Sequence, residues 1–212
     1  MTTEAGLLNG EADGAAETAG HPWAPRFRPL DLSGHRDNIG ITHPADTESG
    51  AFNIWRNSLP AGELPAGRSV AVAGVPFDFP PVAAGRPDNV RCAGQFVAVP
   101  PGRYDWLYLL AAAERRVEDE IALHFTCGAV EFAPLRVSDF WHAPAVFGEY
   151  EAFATATMHY PYHVQKDVSA KIWCQRVPVI GRGELTAARL PVNTAVHIFA
   201  ATLDRRDAGE RP

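Results

Sequence analysis

Short runs of β-branched and aromatic residues alternate with polar positions along most of this chain, and Pro, Gly or Asn closes each run. The pattern is clearest from Arg68 to Ala113. Strands that alternate with a period of two and stop at turn residues every eight to twelve positions or so are typical of a β-sandwich. We therefore predict an all-β fold, built as a two-sheet antiparallel β-sandwich.

The alternation predicts ten short strands. The segment Trp106 to Leu110 is apolar on both faces, so we expect it at the centre of its sheet. Cys127 and Gly128 separate two alternating runs and predict a hairpin turn, because Gly adopts positive φ readily. The predicted strands are Phe52 to Arg56, Ser69 to Phe79, Val90 to Val99, Trp106 to Ala112, Glu120 to Phe125, Val130 to Val137, Phe153 to Tyr160, Lys171 to Ile180, Glu184 to Leu190 and Val196 to Leu203.

Length and composition fit one domain. The 212 residues are 46% apolar, which is enough for the core of one large sandwich. The 18 Gly and 18 Pro argue against long helices. Residues 1–22 are predicted to be a flexible arm, residues 23–205 a single β-sandwich domain and residues 206–212 a tail. Within the domain, Trp23 to Leu32 is expected to run extended over the sandwich surface.

Charge and targeting patterns exclude several classes of partner. The formal net charge of -6 gives a surface that repels a phosphate backbone, so we expect no nucleic-acid partner. No apolar run is long enough to span a membrane, and Met1 to Gly20 shows no secretory signal. Cys92, Cys127 and Cys174 have no paired spacing, so we expect them as buried side chains in the strands of a cytoplasmic protein.

A series of strand and turn residues in the first two thirds of the chain resembles a known group of modules. The series consists of Asp31 to Ser33, Asn38 to Thr42, Phe52, Ser58 to Pro60, Glu63 to Pro65, Gly74 to Phe77, Pro87 to Val90, Gly94, Gln95, Tyr104 to Ala113 and Leu123 to Glu131. It resembles the NPCBM-type, galactose-binding-like β-sandwich modules of actinobacterial glycoside hydrolases. The resemblance covers about half of the chain and ends near Trp141.

This resemblance implies a jelly-roll, galactose-binding-like sandwich that binds carbohydrate. It also implies that a structural calcium ion could be held by the oxygen-rich loops containing Asp37, Asn38, Asp46 and Glu48, since calcium prefers oxygen ligands. We expect no other cofactor.

Aromatic and ionisable residues are densest between Asp139 and Gln165, and most of them flank Pro or Gly, as loop and strand-end residues do. Aromatic rings stack on the apolar face of a sugar or another ring, while polar groups bind its hydroxyls. The same aromatics could instead close the ends of the sandwich core. The predicted ligand-binding residues are Asp139, Trp141, His142, Tyr150, Tyr160, Tyr162 and Gln165.

The catalytic candidates in this region are His159, His163 and Glu149. The two histidines are four residues apart, but Pro161 argues against a helix, and four extended residues span about 13 Å, so we predict no shared metal site. Either histidine can carry a proton singly. Glu149 can pair with Glu151 in acid–base chemistry, or both can simply be solvated.

Three functions remain open. The first is a stand-alone binding β-sandwich that recognises a sugar, or a glycosylated or ring-bearing small molecule, through loop aromatics. The second is a small cytoplasmic enzyme of secondary metabolism, a cyclase, lyase or isomerase, that uses His or Glu as acid and base. The third is an accessory subunit that docks on a larger enzyme through exposed aromatics. A homodimer is compatible with each, and no membrane partner is expected. No signature motif of a hydrolase or of a nucleotide-binding enzyme is present.

Overall fold

The computed structural model describes residues 26–141 and 144–206. These ranges contain fourteen strands, joined by turns and three 3₁₀ helices of one turn each. In chain order the strands are β1 (Phe27–Leu30), β2 (Ile41–Thr42), β3 (Leu59–Pro60), β4 (Ser69–Val72), β5 (Val75–Asp78), β6 (Val90–Arg91), β7 (Phe96–Gly102), β8 (Tyr104–Ala113), β9 (Val117–Phe125), β10 (Val130–Val137), β11 (Tyr150–Tyr160), β12 (His163–Pro178), β13 (Leu185–Arg189) and β14 (Val196–Arg205). The 3₁₀ helices are Ser33–His35, Thr47–Ser49 and Ala61–Glu63.

Two antiparallel sheets form the sandwich. The large sheet has the strand order β1-β14-β8-β12-β11, with β6 also paired to β14, and the small sheet has the order β10-β9-β13-β7. Alternate residues of both sheets point inward and form one apolar core that includes Leu109, Ile121, Leu135 and Trp173. The predicted two-sheet antiparallel β-sandwich is therefore confirmed. The strand β8 pairs with β12 and β14 and so lies inside its sheet, as its two apolar faces predict.

The other face of the large sheet is also covered, which explains why β14 is buried along nearly its whole length. Residues 41–82 lie over this face and include the parallel pair β2–β3 and the hairpin β4–β5. They form a second apolar core with the sheet, which includes Phe77, Leu110 and Phe199. We call residues 41–82 the covering layer. The sandwich thus has three layers, one more than the sequence pattern predicts.

A buried polar network ties the start of the covering layer to the large sheet. The Asp88 carboxylate accepts hydrogen bonds from the N–H groups of Gly40 (3.1 Å) and Ile41 (3.0 Å) and from Asn89 Nδ2 (2.8 Å). Asn89 Oδ1 in turn lies 2.9 Å from His197 Nδ1 on β14. Because Asp88, Asn89 and His197 are buried, these bonds satisfy groups that would otherwise destabilise the fold.

One predicted strand, Phe52 to Arg56, is wrong. These residues form a turn, in which the N–H of Trp55 donates to Asn53 Oδ1 at 3.1 Å and the N–H of Arg56 donates to Asn53 O at 2.8 Å. The turn exposes 80% of Ile54 and 64% of Trp55 while Phe52 stays buried. An Asn side chain that bonds the backbone two residues onward favours a turn, and the spacing of apolar residues does not reveal it.

Two other predicted strands are each divided in two. Ser69 to Phe79 is the hairpin β4–β5, and Val90 to Val99 contains β6 and β7, which belong to different sheets. The remaining seven predicted strands overlap β8 to β14 in order. The segment that we expected to lie over the surface contains β1, which pairs with β14 as an edge strand of the large sheet.

The turn between β9 and β10 has the predicted form, with Gly128 at a φ of 80° and its N–H donating to Phe125 O at 2.9 Å. Cys127 in this turn is exposed, which corrects the expectation that all three cysteines are buried; Cys92 and Cys174 are buried. In the part of the chain that the structure describes, no helix has the length and apolarity to cross a membrane.

Candidate functional site

A cleft of about 400 Å³ opens on the face of the large sheet that carries the covering layer. Its floor consists of Trp106 and Tyr108 on β8 and of Cys174 and Arg176 on β12. These residues share one face because β8 and β12 pair with Arg176 opposite Tyr108 and Cys174 opposite Leu110. The cleft therefore lies where the covering layer leaves part of the sheet open.

Two turns form the walls of this cleft. One is the turn of the hairpin β4–β5, which contributes Ala73, and the other is the segment 147–150, which contributes Phe147, Glu149 and Tyr150. Tyr150 begins β11 and pairs with Cys174, which places its ring at the cleft, where it is 58% exposed. The lining is thus rich in aromatic rings, the groups that bind other rings and the apolar faces of sugars.

The Glu149 carboxylate holds the segment 147–150 in place. Glu149 Oε1 accepts a hydrogen bond from the N–H of Ser138 (2.6 Å), and Oε2 accepts from Ser138 Oγ (2.9 Å) and from the N–H of Phe147 (3.1 Å). Ser138 Oγ also accepts from the N–H of Val146 at 2.8 Å. A carboxylate that accepts three hydrogen bonds within its own loop acts as a structural anchor of that wall.

The cleft holds one positive charge in a defined orientation. The Arg176 guanidinium carbon lies 4.5 Å from the centroid of the Trp106 ring, which is the geometry of a cation–π contact. The amide of the neighbouring Gln175 is bonded at both ends, because its Nε2 donates to Arg136 O at 2.6 Å and its Oε1 accepts from the N–H of Arg176 at 2.9 Å. Arg176 is therefore the charged group of the cleft floor.

Two other groups of the floor keep their protons at neutral pH. Burial raises the pKa of the Cys174 thiol to about 11, so it is not a thiolate nucleophile. Burial also raises the pKa of Tyr108, with a smaller contribution from the negative charge of Asp204, so its hydroxyl stays a hydrogen-bond donor. The described residues of the lining thus provide aromatic rings, the Arg176 cation and the hydroxyl groups of Tyr108 and Tyr150.

The residues that we predicted as catalytic or ligand-binding fall in three separate places. The first is the cleft, the second is the loop between β10 and β11, and the third is the closed end of the hairpin β11–β12. His142 lies outside the described residues. The cleft holds Glu149 and Tyr150, and the loop between β10 and β11 holds Asp139 and Trp141. The turn end of the hairpin β11–β12 holds His159, Tyr160, Tyr162, His163 and Gln165.

The hairpin end is remote from the cleft. His159 and Tyr150 are both on β11, and nine residues of extended strand span roughly 30 Å. His159 is buried, and its Nδ1 lies 2.8 Å from Thr42 Oγ1, which in turn lies 2.7 Å from Ser58 Oγ. Burial lowers the pKa of His159. This histidine therefore links β11 to the covering layer.

The other predicted residues near this end are at the surface. Tyr160 stacks on His163, with ring centroids 4.6 Å apart. Tyr162 occupies the turn and is 85% exposed, and Gln165 lies on the exposed part of β12. The sequence placed these residues beside Glu149 and Tyr150, but the length of the hairpin keeps the two groups apart.

The loop between β10 and β11 forms the middle group. Asp139 Oδ1 accepts from the N–H of Trp141 at 2.8 Å, and Asp139 O accepts from Trp173 Nε1 at 3.2 Å. Trp141 packs against Phe140, with ring centroids 4.7 Å apart, and stays 39% exposed. Within the described residues, these side chains form part of the loop's own packing and line none of the cleft.

Two of the side chains that the resemblance implied as calcium ligands, Asp37 and Asp46, bind hydrogen-bond donors of the protein. Asp37 accepts hydrogen bonds from the N–H of Arg91 (2.8 Å) and from Gln95 Nε2 (3.0 Å), whereas Asp46 Oδ2 accepts from Ser49 Oγ (2.8 Å) and from the N–H of Gly85 (3.0 Å). Across residues 26–141 and 144–206, no group of three or more His, Cys, Asp or Glu side chains is arranged to hold a metal ion.

Sequence reasoning missed Trp106, Tyr108, Phe147 and Arg176 as site residues. We read Trp106 and Tyr108 as part of a strand buried on both faces, because every residue from 106 to 110 is apolar or aromatic. The available signal was that these two bulky amphipathic rings occupy alternate positions, at the end of the strand. No sequence pattern marked Arg176 as a site residue, because it meets Trp106 only through the pairing of β12 with β8.

The comparisons with known proteins identify the fold family. The family described as "AziU2-like beta-sandwich domain" matches residues 26–207, which is most of the chain. The search of curated proteins found no match to this chain. The match supports the β-sandwich that the sequence resemblance implied and does not extend to an NPCBM-type carbohydrate-binding module. This chain belongs to the AziU2-like β-sandwich domain family.

Proposed function

We propose that this protein binds a small ring-bearing molecule, such as a sugar or an aromatic compound, in the cleft between β8, β12 and segment 147–150. The observation that carries the proposal is the grouping of Trp106, Tyr108 and Tyr150 around a cavity of about 400 Å³. That volume lies in the usual range for small-molecule sites, which are lined by aromatic side chains with a few placed polar groups.

The chemistry of the lining favours binding over catalysis. An acid–base enzyme needs a titratable group that faces the substrate with its proton or lone pair free. Glu149 is occupied by three hydrogen bonds, and Cys174 has a raised pKa, so neither meets this requirement. His159 and His163 lie at the far end of β11 and β12. The predicted catalytic residues are therefore not available as a base in the cleft, whereas binding needs only the rings and hydrogen-bond donors of its lining.

A two-dimensional ¹H–¹⁵N NMR titration of the full chain tests this proposal. The probes are methyl β-galactopyranoside as a neutral sugar and benzamide as a neutral aromatic ring, each raised to tens of millimolar. We expect at least one probe to shift the signals of Trp106, including its indole N–H, together with those of Tyr150 and Gln175. Shifts confined to other surfaces, or none with either probe, would overturn the proposal.

A matched pair of variants localises the binding. Trp106→Leu removes a ring from the floor, and Trp55→Leu removes an exposed ring from the turn 53–56. Since stacking on a ring contributes about 1–3 kcal/mol per base in nucleic-acid sites, we expect roughly tenfold weaker binding for Trp106→Leu and no change for Trp55→Leu. Equal affinity in both variants would contradict a site on Trp106. Thermal unfolding of each variant verifies that it is folded.

A further inference from the structure

Arg176 is a cation of the cleft floor that contacts an aromatic ring and makes no ion pair within the described residues. Its guanidinium lies over the Trp106 ring at 4.5 Å. Within residues 26–141 and 144–206, no carboxylate oxygen lies within 4.0 Å of its nitrogens, whereas Arg26 and Arg206 pair with Asp204 and Asp105. An ordered cation that borders a cleft and has no counter-charge is a candidate site for an anion.

The way in which Arg176 is held leaves its hydrogen-bond donors available. Within residues 26–141 and 144–206 its guanidinium donates no hydrogen bond to another residue, so its N–H groups are available to bind a carboxylate or a phosphate. The Tyr108 hydroxyl lies on the adjacent strand, directly across the ladder from Arg176. It retains its proton at neutral pH because burial raises its pKa. A second donor thus accompanies the cation on the floor.

The other residues of the lining argue against a positively charged ligand. Glu149 is the one carboxylate among the described residues that line the cleft, and its oxygens bind Ser138 and Phe147. The described residues of the cleft therefore offer no free carboxylate that could pair with a cationic ligand. The rings of Trp106, Tyr108 and Tyr150 are also part of the lining.

From this arrangement we infer that the ligand is a ring-bearing organic anion, whose negative group binds Arg176 and whose ring lies among Trp106, Tyr108 and Tyr150. This inference rests on the proposed function and names its ligand class.

Benzoate and benzamide provide the test, because they have nearly the same size and shape and differ in charge. We expect NMR titration of the full chain to give benzoate about five- to tenfold tighter binding than benzamide, since hydrogen bonds to a charged group are about twice as strong as neutral ones. The preference should shrink as salt is raised from about 20 to about 500 mM, because this site is partly open to water.

Two arginine variants assign the preference to one residue. Arg176→Gln should abolish the preference for benzoate over benzamide, whereas Arg182→Gln, on the exposed connection after β12, should leave both affinities and the preference unchanged. A titration with phenyl phosphate shows whether the site prefers a phosphate or a carboxylate. The inference is supported if either anion binds more tightly than benzamide.

The outcomes separate the two proposals. If benzamide binds the cleft and neither anion binds better, the anion inference is wrong and the binding function stands. If the preference for benzoate persists in Arg176→Gln, another cation is responsible and the assignment is wrong. If no probe shifts the signals of the cleft, both proposals fail.

Discussion

Replacing Gly181 with Ala should destabilise the protein by inserting one methyl group against a single aromatic ring. Gly181 lies in the connection from β12 in the large sheet to β13 in the small sheet, and this connection crosses the Phe125 ring. A Cβ atom at position 181 would lie 2.6 Å from Phe125 Cε1 and 2.7 Å from Cε2, and closer still to Cζ. Ordinary contacts of Cβ atoms begin at 3.4 Å, so something must move.

The size of the effect follows from the burial of that ring. Phe125 is 5% exposed and belongs to the core between the sheets, so it has little room to shift. Overpacking of a core by one group costs about 1–3 kcal/mol. We therefore expect Gly181→Ala to lower the free energy of unfolding by about 2 kcal/mol, which for a domain of this size lowers Tm by roughly 4–8 °C.

Urea unfolding of a double-mutant cycle isolates this contact. Phe125→Leu removes Cε1, Cε2 and Cζ, so Gly181→Ala made in that background should cost less than about 0.5 kcal/mol. Gly62→Ala is the matched control, because a Cβ atom there meets nothing within 4 Å. The reasoning fails if Gly181→Ala costs the same in both backgrounds, or if it costs no more than Gly62→Ala.

Three further predictions concern buried or anchored groups. Burial raises the pKa of Asp88 from 3.8 to about 7, so its contribution to stability should be complete below pH 4 and should decline as pH rises towards 7. Urea unfolding from pH 4 to 8 should show a shallower decline for Asp88→Asn, and parallel pH profiles would contradict this. Glu149→Gln leaves one N–H donor of its loop unpaired and should cost about 1–3 kcal/mol in the same assay; an unchanged free energy would mean that Glu149 is no anchor. Cys127 should be the one thiol that reacts with Ellman's reagent in the native state, with the two buried cysteines reacting only in denaturant, and rapid reaction of all three would refute the packing described.

The strands were predictable because they depend on local alternation. In β8 to β14 the side-chain period of two sorts apolar from polar residues, so the sequence pattern and the structure agree in order and in approximate bounds. The turn at Gly128 was predictable for the same reason. The turn 52–56 was not, because it depends on hydrogen bonds of Asn53, and apolar neighbours obscured them.

The site was less predictable because it depends on pairing between distant segments. Arg176 reaches Trp106 through the register of β12 on β8, and Ala73 reaches the cleft through the covering layer. Neither relationship has a local sequence pattern. Proximity in sequence was misleading in the region 139–165, since a long hairpin separates residues that are few positions apart. Glu149 and Tyr150 were placed in the site by their residue types, and the structure puts both at the cleft.

A crystal structure of the protein soaked in saturating benzoate tests the central claim most directly. Our account predicts density for the ring beside Trp106, Tyr108 and Tyr150, with the carboxylate within hydrogen-bond distance of the Arg176 guanidinium. A structure in which benzoate binds elsewhere, or in which the cleft holds only water at that concentration, would contradict it.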